Sequence, residues 1–436
     1  MKASPLPRSL EGWLALLEAR HPVSIDLGLD RCGEVWRRMG RPYPAHRVFV
    51  VAGTNGKGST VETLCALLTG LGRSQGSYTS PHVYRYNERV RVNGKAANDE
   101  QLIAAFRNVE HARGDVSLSY FEFGTLAAFD LLARCRLDFA VMEVGLGGRL
   151  DAVNLLDADC AVITPIGLDH QEYLGPDRDS IAREKAGIMR AGRPVICGDP
   201  DPPGALLEAA RQAEAPLKRL GADFRAEECE GSVLFRAGAI ELVLAQPALP
   251  GPHQVDNLAT ALAALLELVP EAVEQREVLD ASVRSVRVTG RLERVSARPA
   301  VWIDVGHNPL AARAVAGAMR RILPRESLDA LRCVLGMLSD KDAAGVAREL
   351  SEVVGSWYCA GVPGPRGRSG QALAERIAPS LAAPDMRCFD TVESALDAAL
   401  ADCPPQEGVL VFGSFRTAAA AGRRWISIPK TEDPSG

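Results

Sequence analysis

No Cys-x-x-Cys pair occurs in this 436-residue chain, whose ten cysteines are scattered singly. The pattern makes neither a disulfide framework nor a zinc knuckle an expectation. Cysteines inside apolar runs, such as Cys160 ahead of Ala161-Val162-Ile163, read as buried free thiols of a reducing compartment. No apolar run reaches the length of a membrane span. Near the start, Trp13-Leu14-Ala15-Leu16-Leu17 is too short for a signal-peptide core and is flanked by Glu11 and Glu18, so a cytoplasmic location is expected. Basic residues are not in excess: 50 Lys and Arg face 55 Asp and Glu, a net charge of −5. That balance gives no reason to expect nucleic-acid or membrane partners. There is no internal repeat, and low complexity is confined to a polar C-terminal tail.

The composition, 47% apolar and 24% charged, is that of a globular chain of two or three domains. Its most informative run is Val48-Phe49-Val50-Val51-Ala52-Gly53-Thr54-Asn55-Gly56-Lys57-Gly58-Ser59-Thr60. β-formers lead into a glycine-rich turn, and Val61, Leu64, Leu68 and Leu71 continue at helical spacing. A strand, a glycine turn and a helix start form a cradle for a nucleotide triphosphate. Backbone N–H groups approach the phosphates, the helix N-terminus adds positive potential, and Lys57 adds a full charge. The plain alternative is a turn with a solvated lysine. The run departs from G-x-x-x-x-G-K-[ST]: Val51 stands where the first glycine is expected, and Gly58 separates Lys57 from Ser59.

Short apolar runs at Leu137–Met142, Cys160–Thr164 and Pro194–Cys197 alternate with helical patterns, which predicts a mostly parallel sheet covered by helices. Residues 226–246 read as a β-rich patch and 256–269 as a helix. A second α/β series begins with a strand over Ala300–Val305 and a helix over Leu310–Leu323, with Asn308 as N-cap and Pro309 at its first position. Further strands are expected at Cys333–Leu335, Trp357–Cys359 and Val409–Phe412, and the domain boundary is placed near Val288-Thr289-Gly290.

Several residues could carry chemistry. Glu143 falls near the C-terminal end of a strand, where open α/β sheets bind ligands, and could hold Mg²⁺; the alternative is an ordinary loop carboxylate. His170 follows a second strand and could ligate metal, carry a proton or be structural. Ile181, Lys185 and Ile188 share a helical face, so Lys185 either snorkels to water or is buried with a reactive amine. In the second series, Asp304 could meet a ribose or order an ATP contact, His307 could reach ligand groups across an interdomain cleft, and Arg291 could reach a phosphate.

Together, Asp26-Leu27-Gly28-Leu29, Gly53–Thr60, Thr79-Ser80-Pro81-His82, Tyr120-Phe121-Glu122-Phe123-Gly124, Glu143–Asp151, Leu168-Asp169-His170, Arg183–Ile188, Asp304–Pro309 and Gly336–Asp342 resemble the folylpolyglutamate and dihydrofolate synthases of the Mur-ligase superfamily, closest to the bifunctional bacterial enzymes. The resemblance implies a P-loop ATPase-like Mur-ligase central domain within residues 1–288, binding ATP and pteroate. A smaller Rossmann-like α/β glutamate-ligase domain would occupy 289–436. It implies an ATP-dependent ligase that adds L-glutamate to dihydropteroate and to the tail of reduced folates through an acyl phosphate. Thr54, Asn55, Gly56, Lys57, Gly58 and Ser59 would hold the phosphates, with Asn257, Arg291 and Asp304 also contacting ATP. Ser80 and Glu143 would bind one Mg²⁺, and His170 would serve a second site organised by Lys185 as a CO₂ adduct. Asp26, Tyr120, Phe121, Glu122, Leu150, Asp151 and Ala152 would form the pteroate pocket, and Lys57, Glu143, His170, Lys185, Arg291 and His307 the catalytic group. A monomer is expected, and a monovalent-cation requirement stays open. A monofunctional folylpolyglutamate synthase, a muramyl-precursor ligase and a non-catalytic ATP-binding regulator are the other readings.

Overall fold

The computed structural model describes residues 6–20, 26–382 and 384–425. The polar tail beyond residue 425 lies outside them. The chain divides into two compact units, one of residues 1–248 with 254–287, the other of 249–253 with 288–436.

The first unit holds an 8-stranded sheet built from β1 (Ala45–Ala52), β2 (Gln75–Tyr78), β3 (Val90–Val92), β4 (Lys95–Ala96), β5 (Leu137–Glu143), β6 (Cys160–Ile163), β7 (Val195–Cys197) and β8 (Leu217–Arg219). Their order is β4-β3-β2-β5-β1-β6-β7-β8. The strands from β2 to β8 run parallel, and β3 and β4 add antiparallel pairs at one edge. Strand β1 reads as a continuous apolar run because both faces are covered. Val48, Val50 and Ala52 join a core with Phe129 and Leu132, while Phe49 and Val51 face a second core with Leu64 and Leu262. β9 (Phe224–Cys229), β10 (Ser232–Ala237) and β11 (Ile240–Ala245) form the β-rich patch as a separate antiparallel sheet.

The second unit has a 6-stranded sheet of β12 (Glu293–Ala297), β13 (Ala300–Ile303), β14 (Ala330–Leu335), β15 (Val354–Ala360), β16 (Asp385–Phe389) and β17 (Glu407–Phe412), ordered β12-β13-β17-β14-β15-β16. Only β12 pairs antiparallel among these strands. The helix Pro309–Arg325 starts as its sequence predicts: Pro309 opens it, and the Asn308 side chain accepts from the Ala311 N–H at 2.9 Å.

Two expectations need correction. The helix carrying Lys185 spans Arg178–Ala186, so Ile188 lies past its end. Gly187 follows it as the C-cap, and a Cβ at that position would collide with Arg149. The cysteines are all free, but Cys229 and Cys388 are exposed on the edge strands β9 and β16, where one strand flank faces water. Among the described residues no helix is long and apolar enough to cross a membrane.

Candidate active site

Three neighbouring strands of the first unit deliver the candidate residues. β1 lies between β5 and β6, with Val51 opposite Glu143 and Ala52 opposite Ile163. The phosphate-loop sequence, Glu143 and the 164–170 loop therefore leave adjacent strand ends on the same side of the sheet, where such folds bind ligands.

The loop after β1 enters the helix Lys57–Gly70 through Gly56, whose φ is +87°. A left-handed conformation suits glycine alone at low cost, and a Cβ here would sit 2.6 Å from Asn257 Oδ1. Asn257, more than two hundred residues downstream, is thereby brought onto the loop, and its Nδ2 donates to Gln254 Oε1 at 2.9 Å. Gly56 gives this helix no side-chain cap, and a helix N-terminus of this kind suits an anion. The Lys57 amine bends back to donate to the carbonyl oxygens of Gly53 and Thr54 at 3.1 and 3.2 Å. Thr54 braces the loop rather than leaving its hydroxyl open: its Oγ1 accepts from the Gly167 N–H at 3.0 Å and donates to the Gly167 carbonyl at 3.1 Å.

Glu143 is buried at the end of β5, and its Oε2 accepts from the Ser80 N–H at 3.1 Å. This joins two residues expected at one metal. Magnesium is commonly held by one or two carboxylates together with phosphate oxygens and waters, so this donor set fits it. Among the described residues no three His, Cys, Asp or Glu side chains gather to hold a metal by themselves. His170 sits in the left-handed region, φ 52°, ahead of the short helix Gln171–Leu174, and its N–H donates to Asp169 Oδ1 at 2.9 Å.

Lys185 is buried, not snorkelling, and its Nζ donates to the Gly53 carbonyl at 2.9 Å. Burial, with the charge of Lys57 next, lowers its pKa to about 7. The Gly148 backbone packs against Glu184 and Lys185, and the Arg149 N–H donates to the Glu184 carbonyl at 2.7 Å. The Leu150-Asp151-Ala152 stretch is thus carried by the same contact. Asp151 is buried and accepts from the N–H groups of Leu146 and Val153, both at 2.9 Å. Burial raises its carboxyl to about 6.

The residues expected for pteroate lie on several elements of the first unit. Glu122 is buried in a capping box with Ser119 at the start of the helix Tyr120–Arg134. Phe121 packs on the backbone of Gly145: a Cβ there would lie 2.5 Å from its ring. Two cations escaped the sequence reading. Arg31 bridges Asp26 at 2.8 Å and Glu122 at 3.1 Å. Buried Arg89 lies over the rings of Tyr86 and Tyr120, and its Nε donates to His82 Nδ1 at 3.0 Å. Burial and Arg89 lower His82 to about 4, so it stays neutral and can accept that bond. No local spacing ties Arg31 to Glu122, 91 positions away.

Arg291, Asp304 and His307 group within the second unit. Asp304 is buried and accepts from the N–H groups of Leu292 and Gly306 at 2.8 and 2.7 Å. Burial raises its pKa, with Arg291 opposing. His307 Nδ1 lies 3.1 Å from the Val305 carbonyl and its ring 6.3 Å from Phe415, over which Arg291 also stacks.

Residues 51–265 match the Mur ligase middle domain, and residues 290–415 match the Mur ligase, glutamate ligase domain. The dihydrofolate synthase/folylpolyglutamate synthase of Escherichia coli (strain K12) is 44% identical over 422 residues, 96% of each chain. The structure of E. coli FolC in complex with DHPP and ADP is similar with a TM-score of 0.89 at 42% identity, covering 97% of this chain and 99% of that one. The bifunctional folylpolyglutamate synthase/dihydrofolate synthase of Yersinia pestis, complexed with AMPPNP and Mn ion, gives 0.88 at 40% identity over 97% and 99%. With both domain matches and this identity along nearly its whole length, the chain belongs to the Mur ligases and, within them, to the dihydrofolate synthase/folylpolyglutamate synthase family.

Proposed function

We propose that this chain is an ATP-dependent ligase that joins L-glutamate to dihydropteroate, giving dihydrofolate, and to the glutamate tail of reduced folates. The observation that carries the reading is the convergence on Gly53: Lys57 and Lys185 both donate to its carbonyl, at 3.1 and 2.9 Å, in a glycine loop that leads into a helix without a side-chain cap.

A carboxylate is a poor acylating agent. Its oxygen attacks the γ-phosphate of ATP, ADP leaves, and an acyl phosphate forms. The neutral amine of L-glutamate then attacks the acyl carbon, phosphate leaves, and an amide remains. Carboxylate, triphosphate and glutamate repel one another, so fixed positive groups aimed at the transferring phosphoryl group carry much of the catalysis. In this reading the loop Thr54–Ser59 and Asn257 hold ATP, and Arg291, Asp304 and His307 serve the nucleotide and the reacting groups from the second unit. Ser80, Glu143 and His170 would hold Mg²⁺, which neutralises the phosphate oxygens, across two sites. Asp26, Tyr120, Phe121, Glu122 and the 150–152 stretch line the pteroate pocket, where aromatic walls suit a flat ring.

Lys185 fits a CO₂ adduct. Its amine, near neutrality at about 7, supplies the unprotonated nucleophile that CO₂ requires; one N–C bond forms, one proton leaves, and an anionic carbamate results. Bifunctionality, a monomeric state and a cytoplasmic setting complete the reading. The test is ATP- and Mg²⁺-dependent incorporation of labelled L-glutamate, run in parallel with 7,8-dihydropteroate and tetrahydrofolate. Incorporation with both supports the bifunctional enzyme. With folate alone it restricts the chain to tail extension, and with neither it overturns the reading.

A further inference from the structure

Residues 165–167, in the loop after β6, form a strap on the glycine loop that follows β1. Pro165 has no N–H, and its carbonyl accepts from the Thr54 N–H at 2.9 Å and the Asn55 N–H at 3.4 Å. The Gly167 N–H and carbonyl both meet Thr54 Oγ1. Between them Ile166 is buried and turns to other partners: its N–H donates to Asp199 Oδ2 at 2.8 Å, and its carbonyl accepts from Arg178 Nε at 2.9 Å. Every backbone polar group of the strap is therefore matched, the outer two residues to the glycine loop and the middle one to a charge pair.

The pair comes from two different elements. Arg178 opens the helix Arg178–Ala186, and Asp199 follows the end of β7 at Cys197. Asp199 is buried, and its Oδ2 also accepts from Arg178 Nη2 at 3.1 Å, so one ion pair grips both sides of Ile166. The same nitrogen donates to the Asp201 carbonyl at 2.7 Å, and Asp199 Oδ1 accepts from the Asp201 N–H at 3.0 Å, which closes the frame. A planar guanidinium makes such bonds in fixed directions, and it leaves no uncompensated carboxylate in the interior. Lys185, on the same helix, donates to the Gly53 carbonyl. It lies two turns after Arg178, about 10 Å along the helix axis. The helix is thus tied to the glycine loop at two points, directly through Lys185 and by way of the strap through Arg178.

We propose that Arg178 and Asp199 are positioning residues for nucleotide binding. By fixing Ile166 they hold Pro165 and Gly167 against Thr54 and Asn55, and so set the shape in which that loop receives the phosphates. The proposal rests on the reading of residues 54–59 as the nucleotide cradle, not on the identity of the acid that is ligated. Both residues act through the strap, and a displacement on the order of 1 Å at a cradle of this kind is enough to cost turnover.

The probe is ADP, whose binding to the full chain is measured by calorimetry without any ligation. Arg178→Ala is expected to weaken it roughly tenfold, within the coupling carried by residues that contact no ligand. In ligation the KM for ATP should rise while that for dihydropteroate stays unchanged, a split that general loosening of the unit would not give. Asp177→Ala is the control. It removes the cap of the same helix, whose side chain accepts from the Ser180 N–H at 2.8 Å, but spares the strap, so ADP affinity should hold. Should Arg178→Ala fail to fold, Arg178→Lys, which keeps the charge and loses the planar fork, is read in the same way. Unchanged ADP affinity in the Arg178 variant, an equal loss in Asp177→Ala, or no ADP binding by the unsubstituted chain overturns the proposal. A chain that binds ADP as expected yet ligates nothing loses the ligation reading and keeps this one.

Discussion

The amines of Lys57 and Lys185 meet at a single acceptor, the carbonyl oxygen of Gly53, at 3.1 and 2.9 Å. Two cations on one oxygen repel, and the buried one yields: the Lys185 pKa falls to about 7 through burial first and Lys57 second. The same pairing that shapes the phosphate loop therefore prepares the Lys185 amine for reaction.

Activity should fall as pH drops through about 7. Below that value the Lys185 amine is protonated and cannot take up CO₂; above it the neutral form dominates. Lys185→Arg stays charged and should be inactive throughout. A pH–rate profile at saturating ATP checks this, together with loss of activity in CO₂-depleted buffer and its return on adding bicarbonate. A flat profile through neutrality removes the carbamate from the mechanism.

The same group should cost stability. Between the folded value of about 7 and the unfolded 10.5, the unfolded chain binds more protons, so this contribution to stability rises with pH across that window. Lys185→Met is expected to raise the midpoint of thermal unfolding at neutral pH while losing activity. Unfolding curves at several pH values would expose the difference, which should shrink toward the alkaline end.

Glu143→Gln keeps the shape and the bond from the Ser80 N–H but removes the charge. Turnover should drop by about 10²–10³, the scale of losing one preorganised electrostatic contact, and more Mg²⁺ should be needed for half-maximal rate. Titrating Mg²⁺ against activity tests both; an unchanged metal dependence would take Glu143 out of the metal site.

At Gly56 an alanine is expected to be poorly tolerated. Its φ of +87° disfavours a side chain by about 1–2 kcal/mol, and the new methyl would press on Asn257 Oδ1. Gly56→Ala should raise the KM for ATP more than that for dihydropteroate. Steady-state kinetics varying each substrate in turn would separate the two.

Arg31→Met removes the partner of buried Glu122 and should cost about 1–3 kcal/mol of stability. It should raise the KM for dihydropteroate and leave that for ATP unchanged. An equal rise in both would place Arg31 outside the pteroate pocket.

Much of the site was legible because its signals are local. The apolar run before Gly53 reads as a buried strand, the glycines read as a turn, and Asn308-Pro309 reads as a helix start; in each the cause lies within a few residues. Whether Lys185 reaches water or is buried is not legible locally, since its helix shows only that it lies beside Ile181. The ends of β5 and β6 are near their expected positions, but β2, β3, β4, β8, β12 and β16 are not legible in the sequence. Those strands are short or polar along one flank, and pairing with a neighbour, not composition, makes them strands.

By itself the sequence determined the phosphate-loop turn, the alternation of strands and helices, and the helix caps, because backbone preference and apolar periodicity act over short spans. Only the tertiary structure decided that Lys185 is buried against Gly53, that Asn257 rests on Gly56, that Arg31 joins Asp26 to Glu122, and that Arg178 and Asp199 grip Ile166. Each of these depends on how far a side chain is removed from water and on which distant group then stands within reach. Strand order and packing set both.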